Sequence, residues 1–501
     1  MKKQFLIGFF ALFSFITACG GNDDENTVVE TIPQVQSTTP AAGATDVSVG
    51  DITVKIVYNT QIEVQATKIS VTGATLKGIS RQNGNTQLAL TVSCDKEKQL
   101  IVIDIPAGAV KSTAGKEAAA FSLSFTTKET ESQTPINPGG NDGYESATEA
   151  VRNMGPGWNL GNTLDAYNVS IAAGSPVSTY ETTWGQPVTE EFLMKKLKAK
   201  GFGAIRVPVT WFQHMDDAGN VDEAWMNRVE EIVRYVLNQD MYCIVNVHHD
   251  TGAHSTAWVV ADNSRYAATK ERYEKLWTQI ATRFRDYGKK LLFEGYNEML
   301  DAVPSWTAPK DRSSLQAVNS YAQSFVNAVR ATGGNNAQRN LIVTTYSASS
   351  GADWGNGKYV LPDFAVPTDP CGNQNHLAVE IHSYDPFDWV NTYNMKWTKE
   401  CTDVLKAIFE RVDAAFIQKG YPVIVGEYGS NGANEKTINS TSTEAQKAEA
   451  GRQGADMMRL CKQYGAAGFY WMGLIDGKDR KQASFKWTME QVADSIVNVY
   501  K

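Results

Sequence analysis

The sequence predicts an α/β protein: a (β/α)8 barrel preceded by a small all-β sandwich. Three observations carry this expectation. Over residues 144–501 eight apolar, strand-like runs mostly alternate with longer amphipathic segments. Over residues 39–127 short runs alternate apolar and polar residues, with Gly, Asn and Asp between them. No Gly-rich GxGxxG follows the first strand of the long segment, which weighs against a doubly wound sheet. The length of 501 residues fits more than one domain at roughly 100–200 residues each.

At the N-terminus Lys2 and Lys3 precede a nearly unbroken apolar run, Phe5 to Ile16. That run is too short to span a bilayer and suits a signal peptide over residues 1–18. Ile16-Thr17-Ala18-Cys19 resembles a bacterial lipobox, which implies cleavage before Cys19 and a lipid on its thiol. The acidic stretch after Cys19 resembles the surface-export signal of Bacteroidetes lipoproteins, so the expected location is the outer membrane, facing outward. The alternative is an ordinary signal peptide with an incidental cysteine. Residues 19–38 read as a linker.

The sandwich follows at 39–127. Its strand candidates are 52–59, 68–74, 88–93, 100–106 and 121–127. Its segments PAAGATDVSVG and AGAVKSTAGKEAAAFSLSFTT resemble bacterial Ig-like domains attached to secreted enzymes. It holds one cysteine and no histidine, so it reads as a spacer, with carbohydrate binding as the alternative. Residues 128–143, rich in polar residues, Pro and Gly, form a second linker.

In the remaining segment, 144–501, the strand candidates are 157–162, 202–209, 242–247, 291–296, 341–346, 377–382, 422–428 and 467–473. Helical patterns cover 189–200, 223–239 and 322–333. A net charge of −8 argues against nucleic-acid or anionic-lipid partners. Six cysteines in this length exclude a disulfide scaffold; Cys371 and Cys401, flanking one long segment, are the candidates for a bridge. Cys243 and Cys461 read as buried thiols at least as well.

Polar residues gather where the apolar runs end, the face on which barrels of this kind carry their sites. Arg206 lies inside one run; His248, His249 and Asp250 follow another; Asn297 and Glu298 follow a third. His382 and Tyr384 end the sixth run, Glu427 the seventh and Trp471 the eighth. A metal reading of His248-His249-Asp250 is disfavoured, because neighbours in a strand point to opposite faces and no HExxH or CxxC is present. A serine hydrolase would need a GxSxG elbow, and the sequence has none. Two carboxylates acting on a sugar fit better. Glycoside hydrolysis needs a proton donor to the leaving oxygen and a second carboxylate at the anomeric carbon. Glu298 and Glu427, from strands that are not neighbours, can face each other across the barrel mouth.

The motifs GWNLGNTLDA (157–166), ETTWGQP (181–187), IRVPVTW (205–211), VNVHHD (245–250), LLFEGYNE (291–298), HSYDP (382–386) and IVGEYG (424–429) resemble glycoside hydrolase family 5, most closely its subfamily 4, in order and spacing. The resemblance implies a retaining TIM-barrel enzyme acting on β-1,4-glucans such as cellulose derivatives, mixed-linkage glucan and xyloglucan, without a cofactor or metal. It makes Glu298 the acid/base and Glu427 the nucleophile. Arg206, His248, Asn297, His382, Tyr384 and Trp471 match the family's other characteristic positions. On this reading Arg206 and Tyr384 hold Glu427, Asn297 meets the sugar 2-OH, the histidines serve hydroxyls or carboxylates, and Trp471 stacks on the sugar. The usual Asn-Glu-Pro is Asn297-Glu298-Met299 here, a change that touches loop shape rather than chemistry.

Asn162 and His249 are expected along the glycone side. Trp258 and Trp354 are either stacking platforms or loop anchors, and Trp184 reads as an anchor. The rival readings are an enzyme restricted to xyloglucan, and an inactive surface glycan-binding lipoprotein on the same barrel. The expected partner is a β-glucan polysaccharide, the membrane is reached only through Cys19, and the default oligomeric state is a monomer.

Overall fold

In the N-terminal region every second residue of the strands turns inward. Ile52, Val54, Ile56 and Tyr58 on one strand, Leu88, Leu90 and Val92 on another, and Ile101, Ile103 and Ile105 on a third form its buried core. A computed structural model describes residues 31–45, 47–96, 98–128, 144–352, 355–430 and 437–501. The chain divides into two units, residues 1–134 and 135–501. The signal segment, Cys19, most of the second linker and Trp354 lie outside the described residues.

Among the described residues the first unit has nine strands: β1 (Val35–Thr39), β2 (Gly50–Tyr58), β3 (Ile62–Val64), β4 (Ser70–Thr72), β5 (Thr75–Gln82), β6 (Gln87–Cys94), β7 (Leu100–Ile105), β8 (Val110–Ser112) and β9 (Phe121–Thr126). They make antiparallel sheets in the orders β1-β2-β6-β5, β4-β7-β9 and β3-β8. The linker expected at 19–38 is corrected at its end, because Val35–Thr39 pairs with β2. Its sequence, VQSTT, carries one apolar residue, so an edge strand of this kind leaves no hydrophobic signature.

The second unit is a closed parallel barrel of β10 (Pro156–Asn159), β11 (Ala204–Val207), β12 (Tyr242–Asn246), β13 (Leu291–Glu294), β14 (Leu341–Thr344), β15 (Leu377–Ser383), β16 (Val423–Tyr428) and β17 (Ala467–Tyr470). All eight fall within the expected runs or one residue beyond them. Outward residues such as Ile205, Val245, Phe293 and Val379 pack against the helices. Inward residues form layers. Ala204, Ile244, Leu292, Ile342, Ala378 and Ile424 fill the lower one, closed by the helix Ala147–Asn153. Two residues further along the same strands stand Arg206, Asn246, Glu294, Thr344 and Glu380, all fully buried and polar. This polar layer is the floor of the candidate site.

Among the described residues no helix is long and apolar enough to cross a membrane. Cys371 is exposed, Cys401 is buried, and neither is bonded, so the candidate disulfide is withdrawn. Proximity along the chain did not bring the two together: Cys401 is turned into the barrel's hydrophobic packing. Cys243 and Cys461 are buried thiols.

Candidate active site

The site is organised around Arg206. Its Nε and Nη2 donate to Glu294 at 2.7 and 2.8 Å, Nη1 to Glu427 Oε1 at 2.9 Å, and Nη2 to Asn297 Oδ1 at 2.7 Å. Burial opposes its charge, but Glu294, Glu380 and Glu427 outweigh burial and raise its pKa. The ends of β13 and β16 are thereby tied to one guanidinium on β11.

Glu427 is positioned by a bulge in β16. Ile381 pairs with Val425, but His382 pairs with Glu427, leaving Gly426 as the extra residue. The slip puts Glu427 beside His382. The Tyr384 hydroxyl donates to Glu427 Oε2 at 2.7 Å, and His248 Nε2 lies 3.9 Å from Oε1. Glu298, just beyond β13, is the more open carboxylate, with 22% of its side chain exposed against 7% for Glu427. His382 Nδ1 lies 2.8 Å from Glu298 Oε1 and 3.7 Å from Glu427 Oε2. Glu298, His382 and Glu427 converge with their nearest polar atoms within 4.8 Å of one another. Burial opposes charge on His382, but Glu427, Glu298 and Glu380 outweigh it and lift its pKa to about 10.

His248 and His249 lie past the end of β12, so strand alternation does not apply to them. Contrary to the expectation of opposite faces, their rings meet edge to face at 4.5 Å and converge with Asp165. Both Asp165 oxygens accept backbone N–H groups, from Thr163 at 2.7 Å and Asn162 at 3.0 Å. Burial lifts Asp165 to about 6, lowers His249 to about 4, and holds His248 well below its ordinary value. Asn162, in the left-handed region at φ 58°, lines a cavity of about 310 Å3 together with Tyr384 and Trp471. Trp471 stacks parallel to His248 with centroids 5.9 Å apart.

The loop tryptophans separate. Trp258 donates Nε1–H to buried Asp250 at 2.6 Å, and Arg272 lies over its ring at 5.1 Å. Its N–H and one ring face are thus engaged within the loop. Trp184 is held by the Tyr167 carbonyl and packs against the Tyr167 ring. Sequence reasoning missed Asn159, Asn246, Glu294 and Glu380 in the polar layer. It also missed Trp306 and Phe387, in loops beyond β13 and β15, which are 55% and 60% exposed.

Two acidic groups, one deeply held and one open, face each other over a polar barrel floor, the arrangement of an O-glycosyl hydrolase. Residues 168–474 match the family described as "Cellulase (glycosyl hydrolase family 5)", and residues 29–127 match "Bacterial Ig-like domain". The chain belongs to glycosyl hydrolase family 5. Endoglucanase A of Clostridium longisporum is 32% identical over 71% of this chain and 66% of its own length. Cellulase/esterase CelE of Acetivibrio thermocellus is 36% identical over 62% of this chain but 35% of its own. The chain thus spans just under two thirds and about one third of these two relatives. Among solved structures, PbGH5A of Prevotella bryantii B14, a mutant of which is complexed with the xyloglucan tetradecasaccharide XXXGXXXG, is 49% identical, with a TM-score of 0.67 over 72% of this chain and 99% of its own. A GH5-4 broad specificity endoglucanase from an uncultured bacterium is 43% identical, with a TM-score of 0.64 over 72% of this chain and 96% of its own.

Proposed function

We propose that the chain is a retaining endo-β-1,4-glucanase with Glu427 as nucleophile and Glu298 as acid/base. The approach of the two carboxylates to within 4.8 Å carries the reading. Retaining enzymes hold their carboxyl groups roughly 5–5.5 Å apart, and inverting ones roughly 6.5–9.5 Å to admit a water. In the first step a Glu427 oxygen attacks the anomeric carbon, the glycosidic C–O bond breaks, and Glu298 gives its proton to the departing oxygen. In the second, Glu298 takes a proton from water, whose oxygen displaces Glu427 with net retention. Arg206 and Tyr384 aim Glu427 by one hydrogen bond to each oxygen. With its Oδ1 held by Arg206, Asn297 keeps its NH2 end for the sugar 2-OH. Trp471 offers an aromatic face to the sugar's C–H groups. No step calls for a cofactor.

The names of the endoglucanase relatives support internal cleavage of a glucan, and the xyloglucan complex of PbGH5A supports testing branched glucan beside linear and mixed-linkage ones. The test is reducing-sugar release from carboxymethylcellulose, barley β-glucan, xyloglucan, glucomannan, mannan and xylan, with product lengths followed in time. Early mid-length products from a β-glucan are expected. Release confined to xyloglucan would narrow the substrate; binding without release would overturn the reading. Glu298→Gln and Glu427→Gln are each expected to cost on the order of 10^2-fold or more. The residues around Cys19 support a lipid-anchored, surface-facing protein, which palmitate labelling of Cys19→Ala against the parent would test.

A further inference from the structure

Beneath Glu298 and His382 lies a carboxyl group that the two-glutamate reaction does not use. Glu380, two residues before His382 on β15, is fully buried. Its Oε1 lies 3.0 Å from His382 Nε2 and 3.4 Å from Arg206 Nη2. Since His382 Nδ1 faces Glu298, one imidazole bridges Glu380 to Glu298. On another side Glu380 shares Arg206 Nη2 with Glu294, at 3.4 Å against 2.8 Å. The Glu294 oxygens already accept from Arg206 and Asn246.

Glu380 Oε2 is buried and no donor faces it. Leaving a charged oxygen so placed is costly, whereas a protonated oxygen needs an acceptor, and Glu294 is the carboxylate on the same guanidinium nitrogen. With Glu294 sharing its guanidinium, a like charge on Glu380 is disfavoured. Burial and the charge of Glu294 raise the pKa of Glu380. Burial opposes charge on Glu294 too, but Arg206 and Asn246 outweigh it and hold its pKa low. The remaining titratable neighbours are neutral: burial lifts Tyr384 and depresses His248. With Glu380 protonated, Arg206 and His382 balance Glu294 and Glu427 when Glu298 carries its catalytic proton. An ionised Glu380 would leave excess buried negative charge.

We infer that Glu380 is a positioning residue for the acid/base: as a neutral carboxylic acid it donates to Glu294 and accepts from His382 Nε2, aiming Nδ1–H at Glu298. The inference rests on the catalytic reading above and adds to it a third, non-reacting carboxyl group.

The test compares wild type, Glu380→Ala and Glu380→Gln on cellotetraose, whose leaving group needs a proton, and on 2,4-dinitrophenyl β-cellobioside, whose leaving group does not. Both are followed as kcat/KM against pH. Glu380→Ala is expected to lose on the order of 10- to 100-fold on cellotetraose and far less on the activated substrate. Its alkaline limb is expected to move to higher pH, because ionised Glu298 loses the His382 donor that stabilises it. Glu380→Gln, which keeps a carbonyl acceptor and an N–H donor, is expected to restore both rate and limb. Equal losses on both substrates, no loss on either, or a Glu380→Gln as impaired as Glu380→Ala would each overturn the inference. Wild-type protein inert on both substrates would instead overturn the glycosidase reading beneath it.

Discussion

The Tyr384 hydroxyl lies 2.7 Å from Oε2 of Glu427, while Arg206 holds Oε1 of the same carboxylate at 2.9 Å. Burial raises the Tyr384 pKa well above its ordinary value, so the phenol stays a donor across the working range. Each oxygen of the nucleophile thus has one fixed donor, which selects its rotamer. A hydrogen bond to a charged group contributes roughly 1.5–3 kcal/mol. Tyr384→Phe is therefore expected to lower kcat/KM on cello-oligosaccharides by about 10- to 100-fold with little change in thermal midpoint. A loss below twofold would show that Arg206 alone aims Glu427.

Trp306 is tied to the acid/base loop through Ser347. The Ser347 hydroxyl donates to the Trp306 carbonyl at 2.5 Å, and its N–H donates to the carbonyl of Met299, next to Glu298. The exposed indole stands on the loop that follows Glu298, eight residues along the chain. Stacking on an aromatic face contributes roughly 0.5–1.5 kcal/mol beyond its buried area. Trp306→Ala is expected to raise KM for barley β-glucan roughly 2- to 10-fold. An unchanged KM on the polymer would remove Trp306 from the cleft.

The barrel was legible because each of its strands is buried on both sides and reads as a continuous apolar run. The polar floor was not, although its signal was present. Asn246, Glu294 and Glu380 sit inside such runs, each two residues beyond an inward apolar residue, Ile244, Leu292 and Ala378. A period of two from the lower layer would have found them. The chemistry at strand ends stood out because isolated charges there are conspicuous, whereas a charge inside a strand looks like an interruption. The convergence of His248, His249 and Asp165 was illegible for another reason: it depends on where β12 stops, and the apolar pattern runs one residue further, to Val247. Trp258 shows the same limit, since only the fold reveals that Asp250 and Arg272 occupy it.

His214 makes the barrel sensitive to acid. It stacks on Trp225 with centroids 3.5 Å apart and meets Tyr180 edge-on at 4.5 Å. Burial depresses its pKa from 6.5 to about 3, with Asp222 partly opposing. The unfolded chain therefore binds a proton that the folded chain refuses between these values. Its contribution is fully present above pH 6.5 and is lost as pH falls toward 3, amounting to about 2 kcal/mol by about pH 5. His214→Phe keeps a flat ring against Trp225 and removes the titration. Urea unfolding at neutral and mildly acid pH is expected to show a smaller acid loss in the variant. An identical acid loss would place the sensitivity elsewhere.

Gly426 joins the fold to the site, because the bulge that brings Glu427 beside His382 has no room for a side chain. A Cβ there would lie 2.1 Å from Oε1 and 2.4 Å from Cδ of Glu380. Glu380 has no easy retreat, since His382 and Arg206 meet the same oxygen. Gly426→Ala is expected to destabilise the barrel by roughly 1–3 kcal/mol through overpacking and to lower activity through displacement of Glu427. If the Glu380 carboxyl is the obstacle, removing it makes room. Gly426→Ala combined with Glu380→Ala is then expected to be more stable than the sum of the single effects, a coupling of about 0.5 kcal/mol or more by chemical denaturation. Strict additivity would mean that backbone strain in β16, rather than the Glu380 contact, makes glycine necessary at this position.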